Sequence, residues 1–426
     1  MKASGHVMRG DGFRRNFYGR AEPSKYSIAS TIEHFLLCAA VFTSPANILR
    51  LDFFYFTLSD FLFLLCFALA ALRGGINIHP LGKVSTAVWT FGLSMLVIGL
   101  TVSSMIGPDP SRGIAFGAQY FFAYYFVLVL IGGRSLDELV SLAKVYVLSM
   151  CLMCVHGMYV VNVLNERNTV YVSGAGRFQG FVERENACAA LMAFTAPLLL
   201  LLVAAGRLSR IYLFIGLPIL AYGVMLTGSN SGLMALTFGV AVFALVGITV
   251  RRVVIGLTVG LAIVALSGDW MTDYLPDVFQ KRVLGAIETG DLSQAGTFDD
   301  RMELIHEAVQ YADRTMFVGV GADQYRKLSS FEKPVHNVYL LLWMEGGAIS
   351  VLGFIVMTLA SFGPAVVALR TPGGLPFAIC IFTNIVAFMM LVNAFTHVYG
   401  RFWSVPVILS VALACAHNAR YVEQSR

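Results

Sequence analysis

The stretch Pro334–Gly347, PVHNVYLLLWMEGG, brings an imidazole, a carboxamide and a carboxylate to the edge of an apolar run. His336 is a candidate general base, because a neutral imidazole takes a proton from a hydroxyl near neutral pH. Pro334 cannot continue a preceding helix and suits the opening of a new one. His336 is therefore expected in the first turn of a helix, where free N–H groups and the positive dipole end favour a neutral imidazole and attract anions. Asn337 is placed either to orient that imidazole or a substrate hydroxyl, or simply to begin the helix. Glu345 follows His336 by nine residues, about half a turn out of phase on an ideal helix, so the two are not expected to pair. Gly346 and Gly347 allow a bend or a close helix contact.

A second candidate lies upstream. TFDDRMELIHEAVQYADR reads as a helix, with Thr297 or Asp299 as its cap and acidic residues in the first turn. At about 100° per residue, Arg301 falls in line with Ile305, Ala308 and Ala312, while Glu303, Glu307, Gln310 and Arg314 fall on the other side. Arg301 thus points with the apolar stripe toward whatever the helix packs on. Two roles fit it: an arginine whose stem lies on apolar surface with its head in water, or a guanidinium held over an anion.

The elements that must hold these residues are membrane helices. Of 426 residues, 57% are hydrophobic and 13% charged, more apolar surface than one aqueous core can bury. Runs able to cross about 30 Å of hydrocarbon as helix occur near residues 31–49, 53–72, 84–105, 114–131, 139–164, 186–205, 211–227, 232–250, 253–266, 336–369, 375–395 and 402–417. The expected fold is all-α and polytopic, with about twelve transmembrane helices and one large loop between the ninth and tenth. Residues 1–30 form an N-terminal tail, 31–266 helices 1 to 9, 267–335 a loop subdomain, 336–417 helices 10 to 12, and 418–426 a C-terminal tail. The basic N-terminus lacks the apolar core and small-residue cleavage site of a signal peptide.

Lys and Arg in short loops mark the cytoplasmic side. Arg73, Lys83, Arg134, Arg207, Arg210, Arg251, Arg252, Arg370 and the tail arginines Arg420 and Arg426 fall on one side if both termini are cytoplasmic. Arg177 and Arg184, in the 171–185 connection, and Arg401 then lie on the outer side, against the bias. The 267–335 loop holds seven Lys or Arg against twelve Asp or Glu, so it is no general polyanion surface, and any anion it recognises needs individually placed arginines. The seven cysteines fall in or beside apolar runs as small hydrophobes; a metal or redox site at Cys151 and Cys154 is not expected. A phosphate loop, HExxH and GxSxG are absent, which speaks against nucleotide hydrolysis and zinc proteolysis.

Several of these segments together resemble one family. HNVYLLLWMEGG is similar to the HNxxLxxxxExG signature of the bacterial O-antigen ligase and O-antigen or exopolysaccharide polymerase superfamily. GRFQGFVERENACAALMAF resembles its RxxGxxxxxN segment, with Arg177, Gly180 and Asn186 at the matching places. TGSNSGLMAL resembles its TxSRxxxLAL segment, and DDRMELIHEAVQYADRTMFVGVGADQY its Arg-helix-GxG stretch. The ordered set, spanning roughly Arg177 to Gly347, is what is specific. The resemblance implies metal-independent glycosyl transfer, without a cofactor, at the periplasmic face of the bacterial inner membrane, with an undecaprenyl-pyrophosphate-linked oligosaccharide as donor. His336 would be the general base with Asn337 beside it, and Arg301 and Arg177 would bind the pyrophosphate. This chain departs from the pattern at Asn230, where the family has arginine; Arg184, Arg401 and Lys333 are the candidates to supply the missing cation.

The implied function is polymerisation of lipid-linked repeat units onto a growing polysaccharide, together with a chain-length regulator as a further partner. The alternative is an O-antigen ligase that passes finished glycan to lipid A core. A flippase or other transporter also fits twelve spans, but transporters show paired repeats and ionisable groups near mid-bilayer, and here His156 and Asp60 are the clearest such groups.

Overall fold

The structure, a computed structural model, describes residues 28–51, 56–246, 255–256, 258, 275–285, 298–312 and 316–424. Among these, seven helices are long and apolar enough to cross a membrane. They are α3 (Lys83–Ile106), α4 (Pro110–Ile131), α5 (Leu136–Val163), α6 (Glu185–Ala204), α10 (Val338–Ala368), α11 (Leu375–Ala394) and α12 (Arg401–Gln424). Shorter apolar helices are α1 (Ile28–Thr43), α2 (Leu58–Leu72), α7 (Ile211–Thr227) and α8 (Asn230–Val246). An amphipathic helix, α9 (Phe298–Ala312), lies outside that set. The ninth expected span, near 253–266, falls almost wholly outside the described residues, as does the tail before residue 28. Strand structure among the described residues is one two-stranded ribbon, Arg50–Leu51 with Phe56–Thr57.

The chain is a multi-pass membrane protein, and its surface shows the reason. Phe91, Ile98 and Met105 form an exposed stripe along α3, and Leu148, Leu152 and Val155 another along α5. Rows of this kind at helical spacing belong against lipid rather than water. At the centre stands α6, with 94% of its most apolar stretch buried, and α5, α7, α8, α11 and α12 pack around it. Helices α3 and α10 run together over most of their length. They approach closely because glycines meet there: a β-carbon on Gly92 or Gly353 would strike the backbone of the facing helix.

The charged residues separate to the two ends of the bundle. At one end Glu33 is buried and paired with both Arg73 and Arg134, and Arg207 meets Asp137 at 2.8 Å. These arginines come from the short loops that the sequence places on one side. At the opposite end Asp60 caps α2, accepting from the Thr57 backbone N–H at 2.8 Å. The same oxygen, Oδ2, also lies 3.0 Å from Nη2 of Arg401. Asp60 is thus a helix cap and ion-pair partner at a bundle end rather than an isolated mid-membrane charge.

Helix α10 is broken at Gly347, whose φ of 71° and ψ of −179° are non-helical. The segment following α9 fills the break. Val320 N donates to Met344 O (2.8 Å), Gly321 N to Glu345 O (3.0 Å), and Ala348 N to Met316 O (3.0 Å). The inserted backbone thereby satisfies carbonyls that the interrupted helix leaves over. The same segment is tied to the end of α3, where Gly319 N donates to Ser103 Oγ and Ala322 N to Ser104 Oγ. The expected bend at Gly346 and Gly347 is therefore a full break with a strand-like insertion.

Candidate functional site

The residues singled out in the sequence collect at the bundle end that holds Asp60 and Arg401. Helix α10 starts at Val338, capped by Asn337, whose Oδ1 accepts from Leu340 N at 3.1 Å. The cap forms at Asn337 because its side chain satisfies one of the orphan N–H groups. His336 accordingly lies one residue before the cap, not within the first turn. Asn337 Nδ2 donates to Asn393 Oδ1 at 3.2 Å, tying this corner to the end of α11. The amide of Asn337 is spent on cap and tie, so it positions the backbone at His336.

His336 is half-buried, and its pKa is lowered first by that burial and then by the charges of Arg301, Arg184 and Lys333. Its imidazole is therefore neutral at neutral pH, held so by desolvation and by neighbouring cations. The sequence-based expectation of a neutral imidazole stands, with a different cause from the helix dipole.

Arg301 sits near the start of α9, which packs on α10. Beneath α9 is a small core of Leu304, Ala308, Tyr325, Val335, Leu341 and Met344. Burial lowers the pKa of Arg301, and the charge of Arg282 lowers it further. Glu307, expected on the open side of this helix, instead anchors the loop: it accepts from Ser329 Oγ (2.6 Å), Ser330 N (2.7 Å) and Tyr325 Oη (3.1 Å). These bonds hold its carboxyl below the usual range despite partial desolvation.

Arg177 is buried in the connection between α5 and α6. Its Nε donates to Thr227 O (2.7 Å), its Nη2 to Asn186 Oδ1 (2.8 Å), and its Nη1 lies 3.9 Å from Glu185 Oε1. The Arg177 to Asn186 spacing in the sequence is thus a hydrogen bond that docks this connection on the ends of α6 and α7. Burial brings the Arg177 pKa down to about 10, with Glu185 opposing and Arg282 and Arg301 adding to the shift. It stays charged at neutral pH. Arg184 is the residue before α6, and its charge reaches both His336 and Tyr399. Among the described residues, neither Arg184 nor Arg301 has a carboxylate partner. Arg401 differs, since its side chain is 13% exposed and its charge is matched by Asp60.

Two groups that the sequence reading missed line the same end. Glu345, 1% exposed, lies 3.0 Å through Oε2 from Nε2 of His397, so its carboxylate does meet a histidine, but not His336. His397 and Tyr399 lie in the connection between α11 and α12, which α4 holds in place: Tyr124 Oη donates to Val398 O at 2.8 Å, and Tyr120 Oη is 3.4 Å from His397 Nδ1. The Tyr399 phenol is raised in pKa chiefly by burial. Only the short polar run THVYGR before α12 could have pointed to this pair.

A family model described as O-antigen ligase matches residues 215–355. The match begins within α7, crosses Arg301, His336 and Glu345, and ends within α10; Arg177 and Arg184 lie upstream of it. It supports the O-antigen ligase and polymerase superfamily and, with it, a glycosyltransferase-like activity on a lipid-linked glycan. No curated protein matches the chain.

Proposed function

We propose that the protein polymerises undecaprenyl-pyrophosphate-linked oligosaccharide repeat units into exopolysaccharide or O-antigen at the periplasmic face of the inner membrane. The observation that supports this most is the neutral imidazole of His336 beside a group of permanently charged arginines. A base and a diphosphate-binding surface are the two things that transfer from a lipid pyrophosphate requires.

In this reading His336 takes the proton of an acceptor hydroxyl, and the oxygen attacks the anomeric carbon of the donor sugar. The bond from that carbon to the pyrophosphate oxygen breaks, and its electron pair leaves with the undecaprenyl pyrophosphate. The leaving group gains one negative charge, which Arg301 meets with forked, permanently charged donors. Arg184, whose charge reaches His336, shares this work. Arg177, with Nε and Nη2 bonded within the protein and Nη1 3.9 Å from Glu185 Oε1, contributes the field of its charge. Arg401 is left out of the phosphate contacts, because its charge is committed to Asp60. No step calls on a metal.

The alternative, with which the matching family is equally consistent, is an O-antigen ligase that passes finished glycan to lipid A core. One experiment separates the two. Purified protein is given a lipid-linked repeat unit alone, and products are resolved by length. Dimers and longer oligomers are expected; silence until lipid A core is added would overturn polymerisation in favour of ligation.

A further inference from the structure

Residues 395–400, which connect α11 to α12, are fixed to two other helices. On the side of α4, Val398 O accepts from Tyr124 Oη at 2.8 Å, and Val398 N lies 3.5 Å from Tyr120 Oη. On the side of α10, His397 turns inward, with Nε2 3.0 Å from Oε2 of the buried Glu345. Its ring packs edge-on against Phe116 at 4.6 Å. A buried carboxylate and histidine pair is a poor source of stability; its effect here is geometric, since it fixes the loop beside the break in α10.

Tyr399 is what this clamped loop presents. Phe395 and Val398 are buried, whereas Tyr399 keeps part of its ring exposed. Phe116 and Tyr120 pack steeply inclined to that ring, at 5.0 and 5.7 Å. Among the described residues the Tyr399 hydroxyl has no hydrogen-bond partner, although a phenol taken partly out of water ordinarily finds one. A tyrosine that only marks the membrane edge sits among headgroups with its ring toward lipid, but this one is surrounded by charge. Arg184, Asp323, Glu345 and Arg112 all act on its phenol. Asp323 is held in turn, 2.7 Å from Arg326 Nε and 3.7 Å from Arg112 Nε. The charge of Arg184 also reaches His336, so one arginine links Tyr399 to the surroundings of the candidate base.

A sugar ring shows a flat patch of C–H groups rimmed by hydroxyls, and an aromatic ring beside a fixed carboxylate and guanidinium complements both parts. We propose that Tyr399, Asp323 and Arg112 form the subsite that holds the acceptor sugar. The Tyr399 ring stacks on the C–H patch, Asp323 accepts from the hydroxyls, and Arg112 donates to them. Glu345 and His397 act through Tyr399 as positioning residues. The inference rests on the functional reading above and deepens it by naming what holds the acceptor. An acceptor immobilised in this way brings its hydroxyl to His336 with its freedom of rotation already lost.

The test uses the full chain in lipid nanodiscs. The probe is the repeat-unit oligosaccharide, freed of its lipid diphosphate by mild acid and titrated by calorimetry; undecaprenyl pyrophosphate is titrated separately. Tyr399→Leu, which keeps an apolar side chain and loses the aromatic face, is expected to weaken oligosaccharide binding about five- to tenfold and to leave binding of undecaprenyl pyrophosphate unchanged. Tyr399→Trp, which keeps an aromatic face, is expected to bind the oligosaccharide nearly as wild type does. Asp323→Asn is expected to weaken it about fivefold or more by removing a charged acceptor. The backbone at Asp323 is left-handed, φ 61°, a conformation that asparagine accepts, so this variant carries the test if Tyr399→Leu does not fold. No binding of the oligosaccharide by wild type overturns the proposal. So does wild-type affinity in Tyr399→Leu or in Asp323→Asn, a loss in Tyr399→Trp equal to that in Tyr399→Leu, or an equal loss of both ligands in Tyr399→Leu. If wild type binds the oligosaccharide through Tyr399 and yet transfers nothing from the lipid-linked repeat unit, the sugar site stands and the functional reading falls.

Discussion

Replacing Gly347 by alanine tests the broken helix on which the site is built. The backbone there has φ 71° and ψ −179°, a region that is essentially glycine-only and costs any other residue about 1–3 kcal/mol. An added β-carbon would also run into the Phe317 carbonyl and lie 3.0 Å from Val318 N. Neither atom is on a flexible side chain, so the inserted segment must move or leave. Leaving removes the bonds from Val320 to Met344, Gly321 to Glu345 and Ala348 to Met316, each contributing about 0.5–1.5 kcal/mol. The expected destabilisation is therefore about 2 kcal/mol from strain alone and about 5 kcal/mol if the segment is expelled. The assay is the midpoint of thermal unfolding in detergent, read beside glycosyl transfer, with Gly206→Ala as control. Gly206 also has positive φ, 69°, but nothing within 4 Å of its added β-carbon, so its alanine costs only the left-handed strain of about 1–2 kcal/mol. Transfer should fall further than stability in Gly347→Ala, because the displaced segment follows the helix that holds Arg301. A Gly347→Ala protein that melts with or above Gly206→Ala and transfers normally would refute the break and its insertion.

His336→Ala is expected to stay in the membrane and lose about 10²-fold or more in transfer rate; polymer of wild-type length in cells would remove the general-base role. The acid limb of the pH–rate profile should lie below the ordinary histidine range of about 6.5, since burial and cations favour the neutral ring. Lys333→Gln takes away one of those cations, so protonation becomes easier and the limb should move to higher pH; an unmoved limb contradicts the electrostatics. The same lowered pKa adds stability above about pH 6.5 that is lost as pH falls below it. Arg301→Lys should be impaired although the charge is kept, because the forked contact is gone, and full activity would show that a point charge is enough. Asp60→Asn should destabilise by about 3–5 kcal/mol by leaving a buried arginine unpaired, with part regained in Asp60→Asn/Arg401→Gln; a neutral single variant would return Arg401 to the set of substrate-facing cations. EDTA should leave the purified reaction unchanged, and loss of transfer on chelation would overturn the metal-free step.

Most helices were legible because membrane spans are written in local composition: a run of about 20 apolar residues has few other solutions. Arg301 was legible for a similar reason, since the period of one helix places it with Ile305 and Ala308 whatever the partner. The helix start at His336 was misjudged by two residues, because Pro334 and Asn337 are both good start signals and only the hydrogen bond from Leu340 N to Asn337 chooses between them. The Glu307 face was misjudged because its partners, Tyr325, Ser329 and Ser330, come from a later loop.

What the sequence by itself determined is the chemistry available: a polytopic helical chain, one histidine beside an asparagine at a membrane edge, and arginines placed against the loop charge bias. Those properties are local, carried by residue type and by spacing within one helix. What only the tertiary structure decided is who stands beside whom. Glu345 meets His397, Arg401 is bound by Asp60, and Arg177 is tied to Thr227 and Asn186. Those pairings join residues between nine and 341 positions apart in the chain, and pairing at such separations is set by helix packing, which no local pattern encodes.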